Sequence, residues 1–358
     1  MKIKSVIEVY SESPVYDIEV NTADHTFMIG DIRVENCRLL SDTTKLSAFT
    51  NSIGGSGLSV GSCRVSTMNL VRIAYETLNL DKPITDKTNA NAKERYIKLL
   101  KDRTDLNCKA LYSMRYILKR NIEKGLLPNY QEGAVELDKQ FCTIGILGLY
   151  EVIDLFGMVG TDSFGNKFYT DEGLEFAVKI LETINEVKDA FECDFSFNIE
   201  SIPGENTAGV LCTADNLLFE QDKYFIYSNQ WIPLIEKCTI QEKCRLGSVL
   251  DTKCGGGCIA HINIENRFPT KEAAWEMLNY VASKGVIYFA FTTKISVCED
   301  RHAFIGTKEC PICGKPKADE YSRIVGFYTP TSSYQKIRKR EFNSRKWYNA
   351  LQKDSMFS

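Results

Sequence analysis

Two short runs toward the end of the chain carry residue types that do chemistry. The first is Cys298-x3-His302, followed by Cys310-Pro-Ile-Cys313-Gly314. Thiolate and imidazole are the ligands preferred by zinc, and a Cys3His set is a closed structural type with no open coordination position. Such a set would rigidify a loop rather than activate a water. The alternative is that Cys298 is a core thiol and His302 an exposed polar residue. The second run is Arg323-Ile-Val-Gly326-Phe-Tyr328. Glycine permits backbone conformations and close approaches that other residues do not. Loss of one Cα hydrogen there would leave a planar radical, delocalised over the flanking amides and unhindered by a side chain. The competing reading is a bulge or bend in a strand. Those six residues alone favour the bulge, and the rest of the chain reverses the preference.

Composition bounds what these residues can belong to. The chain has 358 residues, 44% hydrophobic and 25% charged, with a net charge of -3. This is ordinary for a soluble globular protein, and enough for one large domain or two to three smaller ones. The charge gives no global reason to expect nucleic acid. No run is long and apolar enough to span a membrane. Met1-Lys-Ile-Lys-Ser-Val-Ile-Glu8 lacks the apolar region of a secretory signal. The 13 cysteines, an odd number, argue against a disulfide framework. A reducing cytoplasm, with some thiols binding metal or reacting and the rest buried, fits them better.

The elements that must position these residues fall into two styles. Residues 1–36 read as a small all-β unit. Ser5 to Tyr10, Val15 to Val20, Thr26 to Ile29 and Ile32 to Val34 are its strands, the last two flanking Gly30-Asp31. From Cys37 onward strands and helices alternate, which predicts an α/β architecture with parallel strands. Asn51 to Gly61 is a Gly/Ser-rich loop. Helices are predicted over Ser66 to Leu78, Asn89 to Glu123, Thr170 to Ala190 and Lys271 to Lys284, and strands over Phe195 to Glu200 and Gly285 to Thr292.

The segment from Ile295 through Tyr348 resembles the C-terminus of anaerobic (class III) ribonucleoside-triphosphate reductases. That family carries a four-ligand zinc site followed by an Arg-Val/Ile-x-Gly-Tyr/Phe glycyl-radical motif. Upstream runs match in family order: Cys37-Arg-Leu, Ile53-Gly-Gly, Arg64-Val-Ser-Thr-Met-Asn-Leu, Gly145-Ile-Leu-Gly-Leu, Phe197-Asn-Ile-Glu-Ser-Ile-Pro-Gly-Glu205, Gln230-Trp-Ile-Pro and Gly256-Gly-Cys-Ile-Ala-His261. The family often uses four cysteines for zinc, whereas His302 stands in for one here. The resemblance implies the C-terminal half of a ten-stranded α/β glycyl-radical-enzyme barrel over 37–294, a zinc-binding module over 295–317, and a glycyl-radical loop and tail over 318–358. It implies a glycyl radical at Gly326 and a thiyl radical at Cys37, which abstracts the ribose 3′-hydrogen of a ribonucleoside triphosphate. It also implies a separate activating enzyme using S-adenosylmethionine and an iron–sulfur cluster, formate as reductant with a thioredoxin-like protein as runner-up, and a homo-oligomer.

Val15-Tyr-Asp17-Ile-Glu-Val, Asp24-His25-Thr-Phe and Asn36-Cys37 resemble the C-terminal end of an intein. On that resemblance Cys37 accepts the upstream acyl chain and Asn36 cyclises to a succinimide, with His25 polarising groups at the junction and Asp17 tuning the thiol. Glu35 stands where many inteins have His. The alternative is a β-hairpin extension native to the reductase. The expectation is a split gene, in which a partner polypeptide supplies the N-terminal half of the reductase and of the intein, and trans-splicing removes 1–36. Two other classes stay open: a glycyl-radical enzyme of another substrate, such as a formate-lyase-like one, and a non-catalytic remnant with only ligation chemistry.

Weaker signals remain. Asn51, Ser52, Gly54 and Gly55 are candidates for contacting nucleotide phosphate or ribose. Cys254-Gly-Gly-Gly-Cys258 reads as tight packing rather than a redox pair. His261 reads as a core histidine, Glu200 and Glu205 as solvated carboxylates beside a turn with a place near substrate or reductant as the alternative, and Lys336 to Lys346 as an exposed basic helix face with docking of the activating enzyme as the alternative.

Overall fold

The computed structural model describes residues 26–29, 32–35, 61–78, 86–133, 135–201, 204, 207–324 and 328–349. Strands β1 (Thr26–Ile29) and β2 (Ile32–Glu35) pair antiparallel with Ile29 opposite Ile32, as the flanking of Gly30-Asp31 predicts.

The centre of the fold is a parallel sheet of β3 (Gly61–Asn69), β4 (Gln140–Leu147) and β7 (Phe197–Glu200), with β4 in the middle. Parallel neighbours require crossovers, and helices supply them. Between β3 and β4 run α1 (Leu70–Leu78), α2 (Asp86–Glu123) and the short α3 (Pro128–Gln131). Between β4 and β7 lie α4 (Leu149–Leu155), the antiparallel pair β5 (Val159–Thr161) and β6 (Lys167–Tyr169), and α5 (Asp171–Asp189). From Phe141 to Leu147 every residue of β4 is buried, as expected of a strand covered on both faces.

Local chemistry sets the helix limits. The Thr170 side chain accepts from the Gly173 N–H to cap α5, with Asp171 and Glu172 in the first turn, and Phe176, Ile180 and Ile184 recur at helical spacing on its buried side. Along α2, Tyr96, Leu100, Leu111 and Leu118 are buried in the same core. The expected helix over Ser66 to Leu78 divides instead. Residues 66–69 finish β3, and the helix starts at Leu70. The run Val-Ser-Thr-Met-Asn pairs with β4, and sheet pairing prevails over an apolar spacing that continues smoothly into α1.

After β7 come α6 (Thr207–Phe219) and α7 (Ile240–Leu250), then a second parallel pair, β8 (Ala260–Asn263) and β9 (Phe289–Thr292), joined through α8 (Lys271–Ser283). The strand expected from Gly285 begins only at Phe289, because Gly285 takes a left-handed φ of 84° just past the α8 C-terminus. At Ile295 the architecture changes to an antiparallel sheet, ordered β11 (Ala303–Phe304), β10 (Ile295–Cys298), β12 (Lys317–Arg323), β13 (Tyr328–Pro330). Helix α9 (Lys336–Ser344) follows.

The Cys254–Cys258 run is a packing device. Gly257 bridges Glu200 in parallel, and the Gly256 N–H donates to the Ile199 carbonyl at 2.8 Å, extending the central sheet by a short edge. A Cβ on Gly256 would lie 2.5 Å from Glu200 Cγ and 2.6 Å from Asn198 Nδ2, whereas one on Gly255 would meet nothing within 4 Å. Gly256→Ala is expected to lower stability by about 1–3 kcal/mol, the usual cost of overpacking. Gly255→Ala should change it little. Urea unfolding midpoints of the two variants check this.

Candidate functional site

The sheet that begins at Ile295 holds the four predicted metal ligands together. Cys298 ends β10, where the Arg301 N–H donates to the Cys298 carbonyl in a turn that puts Arg301 at a φ of 64°. That turn brings His302 back beside Cys298. The second knuckle closes through Gly314 N–H to the Cys310 carbonyl and Cys310 N–H to the Lys315 carbonyl, both at 2.8 Å, with Gly314 at a φ of 70°. Lys315 Nζ pairs with Asp300 Oδ1 at 2.7 Å across the two knuckles. The ligand atoms of Cys298, His302, Cys310 and Cys313 all lie within 4.8 Å of one another. Cys298 Sγ is 3.7 Å from Cys313 Sγ, and Cys310 Sγ is 3.6 Å from His302 Nδ1. A tetrahedral ion with metal–sulfur bonds of about 2.3 Å and metal–nitrogen bonds of about 2.0–2.1 Å separates its sulfurs by about 3.8 Å, and sulfur from nitrogen by about 3.6 Å. The donor set therefore fits such an ion both in chemistry and in spacing. Cys298 and Cys310 are buried with Phe304 in a small core of their own.

The same sheet carries the hairpin of β12 and β13. Their pairing closes at Arg323 opposite Tyr328, so Gly326 belongs to the four-residue connection between them. The C-terminal segment holds the base of this hairpin. Tyr334 Oη donates to the Ser322 carbonyl at 2.8 Å, and Arg345 Nη1 donates to the Arg323 carbonyl at 2.7 Å. The remaining Arg345 donors form a two-point pair with Glu341, Nε to Oε1 at 2.8 Å and Nη2 to Oε2 at 3.0 Å, with both side chains buried. Beyond α9 the Lys346 N–H donates to the Leu234 carbonyl, and Tyr348 bridges Ile264 alongside β8. The basic run Lys336 to Lys346 is thus only partly an exposed face. Arg345 is buried as a clamp, and Arg340 lies over the Phe225 ring at 4.0 Å.

Ile324, the residue after Arg323, lines a cleft with Leu147 at the end of β4, Gln230, His261 on β8, Arg338 and Glu341. Gln230 organises one wall. Its Nε2 donates to the Ile259 carbonyl at 2.8 Å and its Oε1 accepts from the His261 N–H at 3.0 Å. His261 is buried, with Nδ1 3.3 Å from Thr292 Oγ1, as a core histidine would be, yet it also faces the cleft. Asp215 fastens a neighbouring wall. Fully buried, it accepts from Asn69 Nδ2 at 2.7 Å, from Tyr227 Oη at 2.9 Å and from the Arg72 guanidinium. Glu200, expected to be solvated, faces Ser62 across the sheet at 3.4 Å.

His25, Asn36, Cys37, Asn51, Ser52, Gly54, Gly55, Glu205 and Gly326 lie outside the described residues. Sequence reasoning missed the Arg345–Glu341 clamp and the Asp215 network. It also missed Glu151, which accepts from the Ser228 N–H at 2.9 Å and so positions the segment running into Gln230. A signal existed only for residues inside family-matching runs: Asn69 of the Asp215 network, and Leu147, Gln230 and His261 of the cleft.

Residues 3–348 match the family model described as anaerobic ribonucleoside-triphosphate reductase, and the chain belongs to that family. Solved structures agree. One anaerobic ribonucleotide reductase is 41% identical, with a TM-score of 0.77, over 86% of this chain and 49% of that one. The Thermotoga maritima anaerobic ribonucleotide reductase with glycerol in the active site is 42% identical, with a TM-score of 0.72, over 82% of this chain and 46% of that one. The same organism's enzyme in complex with dATP and CTP is 41% identical, with a TM-score of 0.70, over 80% of this chain and 45% of that one. The chain spans about half the length of these relatives. No curated protein matched.

Burial pushes the Glu151 carboxyl up to about 8 from an ordinary 4.5. The folded state therefore keeps its proton while the unfolded chain loses it. This contribution to stability is complete below about pH 4.5 and is lost as pH rises towards about 8. Glu151→Gln should flatten that decline, and urea midpoints measured across this range for both proteins check it.

Proposed function

We infer that this chain supplies the C-terminal half of an anaerobic ribonucleoside-triphosphate reductase that works by glycyl and thiyl radicals. The observation that carries this reading is the Cys3His cluster in the same sheet as the hairpin whose connection includes Gly326, with Ile324, two residues earlier in sequence, facing a cleft at the end of the parallel strands. Family membership and the parallel β3–β4–β7 and β8–β9 strands support a half barrel over 37–294, a zinc module over 295–317 and a glycyl-radical loop with tail over 318–358. Strand β12, starting at Lys317, joins the last two modules.

Zinc held by Cys298, His302, Cys310 and Cys313 would be structural, since four protein ligands leave no position for a substrate. Gly326 would store the radical after giving up a Cα hydrogen atom to an activating enzyme that uses S-adenosylmethionine and an iron–sulfur cluster. Gly326 would then recover a hydrogen atom from the Cys37 thiol, and the resulting thiyl radical would take the 3′-hydrogen of the ribose. The 2′-hydroxyl would leave as water, with formate supplying the electrons, or a thioredoxin-like dithiol in its place. The solved complex of a relative with dATP and CTP supports nucleotides as ligands, and Asn51, Ser52, Gly54 and Gly55 are the proposed contacts. A homo-oligomer is the proposed assembly. Among the described residues no helix is long and apolar enough to cross a membrane.

Residues 1–36 are proposed as a C-terminal intein fragment, with Cys37 as splicing nucleophile, Asn36 as the cyclising residue and His25 at the junction. The family match begins at residue 3 and so spans this segment too, which makes splicing the decisive assay. Co-expression with an N-terminal half ending in an intein segment should yield one joined chain beginning its new bond at Cys37. If no joined chain forms, the splicing reading fails. Joined protein activated without oxygen should show a glycyl doublet by electron paramagnetic resonance that Gly326→Ala abolishes. A doublet unchanged by that substitution would reject Gly326. Cys310→Ser should lose stoichiometric zinc by metal analysis, and retained zinc would reject the ligand set.

A further inference from the structure

A buried guanidinium on the outer side of the central sheet lacks a carboxylate. Arg115, on α2, is only 6% exposed. Its Nη1 donates to the Gln140 carbonyl at 2.8 Å and its Nη2 to the Leu137 carbonyl at 2.7 Å, and its Cζ lies 4.6 Å from the Phe195 ring centre. Carbonyl dipoles and a ring face solvate a cation but do not neutralise it. Among the described residues none of its N–H groups reaches a carboxylate. Its other polar contacts are the two thiols, Cys63 Sγ at 3.3 Å from Nη1 and Cys142. A charge buried this deeply costs several kcal/mol unless paired, and the thiolate of Cys63 is the group at hand to pair it.

The backbone puts Cys63 there. The β3–β4 register slips between Ser62 and Arg64, so Cys63 is the extra residue of a bulge. The bulge turns its side chain towards α2, where Cys142 of β4 also points. The two sulfurs are 3.8 Å apart and unbonded, and the Cys142 thiol has the Leu111 carbonyl as its other neighbour. The charged and titratable groups facing Cys63 are Arg64 from its own strand, Cys142 from β4, Arg115 from α2 and Tyr130 from α3. The hydrogen bond with Cys142 and then the Arg115 charge hold the Cys63 thiol well below the ordinary range, against the opposing effect of burial. Burial does the reverse at Cys212, where the neighbouring charges are the carboxylates of Glu151 and Asp215, and pushes that thiol up to about 12. Arg115 also lines a surface cleft with Tyr112, Lys119, Glu123, Asp138 and Asp194, none of whose carboxylates hydrogen-bonds it, so the pair sits one side chain from solvent.

We propose that Cys63 is a resident thiolate, the counter-ion of Arg115, and that with Cys142 it forms a peroxide-responsive thiol pair strapping β3 to β4. The chemistry balances with a hydroperoxide as oxidant. The Cys63 sulfur attacks one peroxide oxygen and the O–O bond breaks. The attacked oxygen stays on sulfur with its hydrogen, so Cys63 becomes a sulfenic acid, and the other oxygen leaves as hydroxide, taking up a proton to become water. The Cys142 sulfur then attacks Cys63. The S–O bond breaks, water leaves with the Cys142 proton, and a disulfide remains that two electrons from a dithiol reverse. None of this depends on the radical reading.

The test is peptide-resolved alkylation of the folded chain with iodoacetamide, followed from about pH 5.5 to about pH 9, because only the thiolate reacts. Cys63 should reach half-maximal rate at least about one pH unit below the ordinary thiol value of about 8.5. Arg115→Met should move that midpoint up, and Arg115→Lys should restore part of the shift. Hydrogen peroxide should then yield a Cys63–Cys142 cross-linked peptide that dithiothreitol removes, whereas Cys142→Ser should leave a Cys63 sulfenic acid trapped by dimedone. An ordinary Cys63 midpoint in the unsubstituted protein overturns the thiolate, whatever the variants do. Peroxide-treated protein with Cys63 and Cys142 unlinked overturns the pair.

Discussion

The buried pair of Arg345 and Glu341 decides where the hairpin sits. A buried ion pair adds little net stability, because desolvating two charges offsets most of their attraction, but removing either partner leaves a costly unpaired charge. What such a pair supplies is geometry. The Arg345 guanidinium is planar, so holding it with Glu341 on one edge and the Arg323 carbonyl on another leaves little freedom between α9 and the end of β12. The Tyr334 bond to the Ser322 carbonyl adds a second fixed point one residue earlier. The cleft reached by Ile324 follows from that attachment.

The metal cluster and the clamp act on opposite ends of the same strand. Lys317, at the start of β12, lies four residues beyond Cys313, and Arg323 closes the strand at the clamp. A ligated cluster would fix the first end through β10 and the knuckles, and the Arg345–Glu341 pair fixes the other. A strand held at both ends presents its following residues reproducibly. On the proposed reading, a closed ion site would steady the strand that leads towards Gly326 without taking part in its chemistry.

The cleft walls show how distant segments are brought to one place. Leu147 ends β4, His261 lies on β8, Gln230 sits in a loop, and Ile324 begins the hairpin connection. Buried hydrogen-bonding groups align them: Gln230 across Ile259 and His261, Asp215 across Asn69, Arg72 and Tyr227, and Glu151 through Ser228. Buried polar groups without partners are expensive. The packing that satisfies them therefore also selects one arrangement of the walls.

Spacing along the chain determined much of this. The cysteine and histidine knuckles were legible because turn geometry is local, with ligands four and three residues apart and a glycine, Gly314, at the left-handed φ of the second. Helices such as α5 and α8 were legible from a threonine cap and helical apolar spacing. The alternation of elements gave parallel strands, because parallel pairing demands crossovers. Other features were decided only in three dimensions. Sheet pairing made 66–69 a strand, and the bulge that aims Cys63 at Arg115 arose from its register with β4. Arg345 looked like one more cation in a basic run until its neighbours were known. A side chain's charge is written in the sequence, but whether it meets water or a buried carbonyl depends on what folds over it.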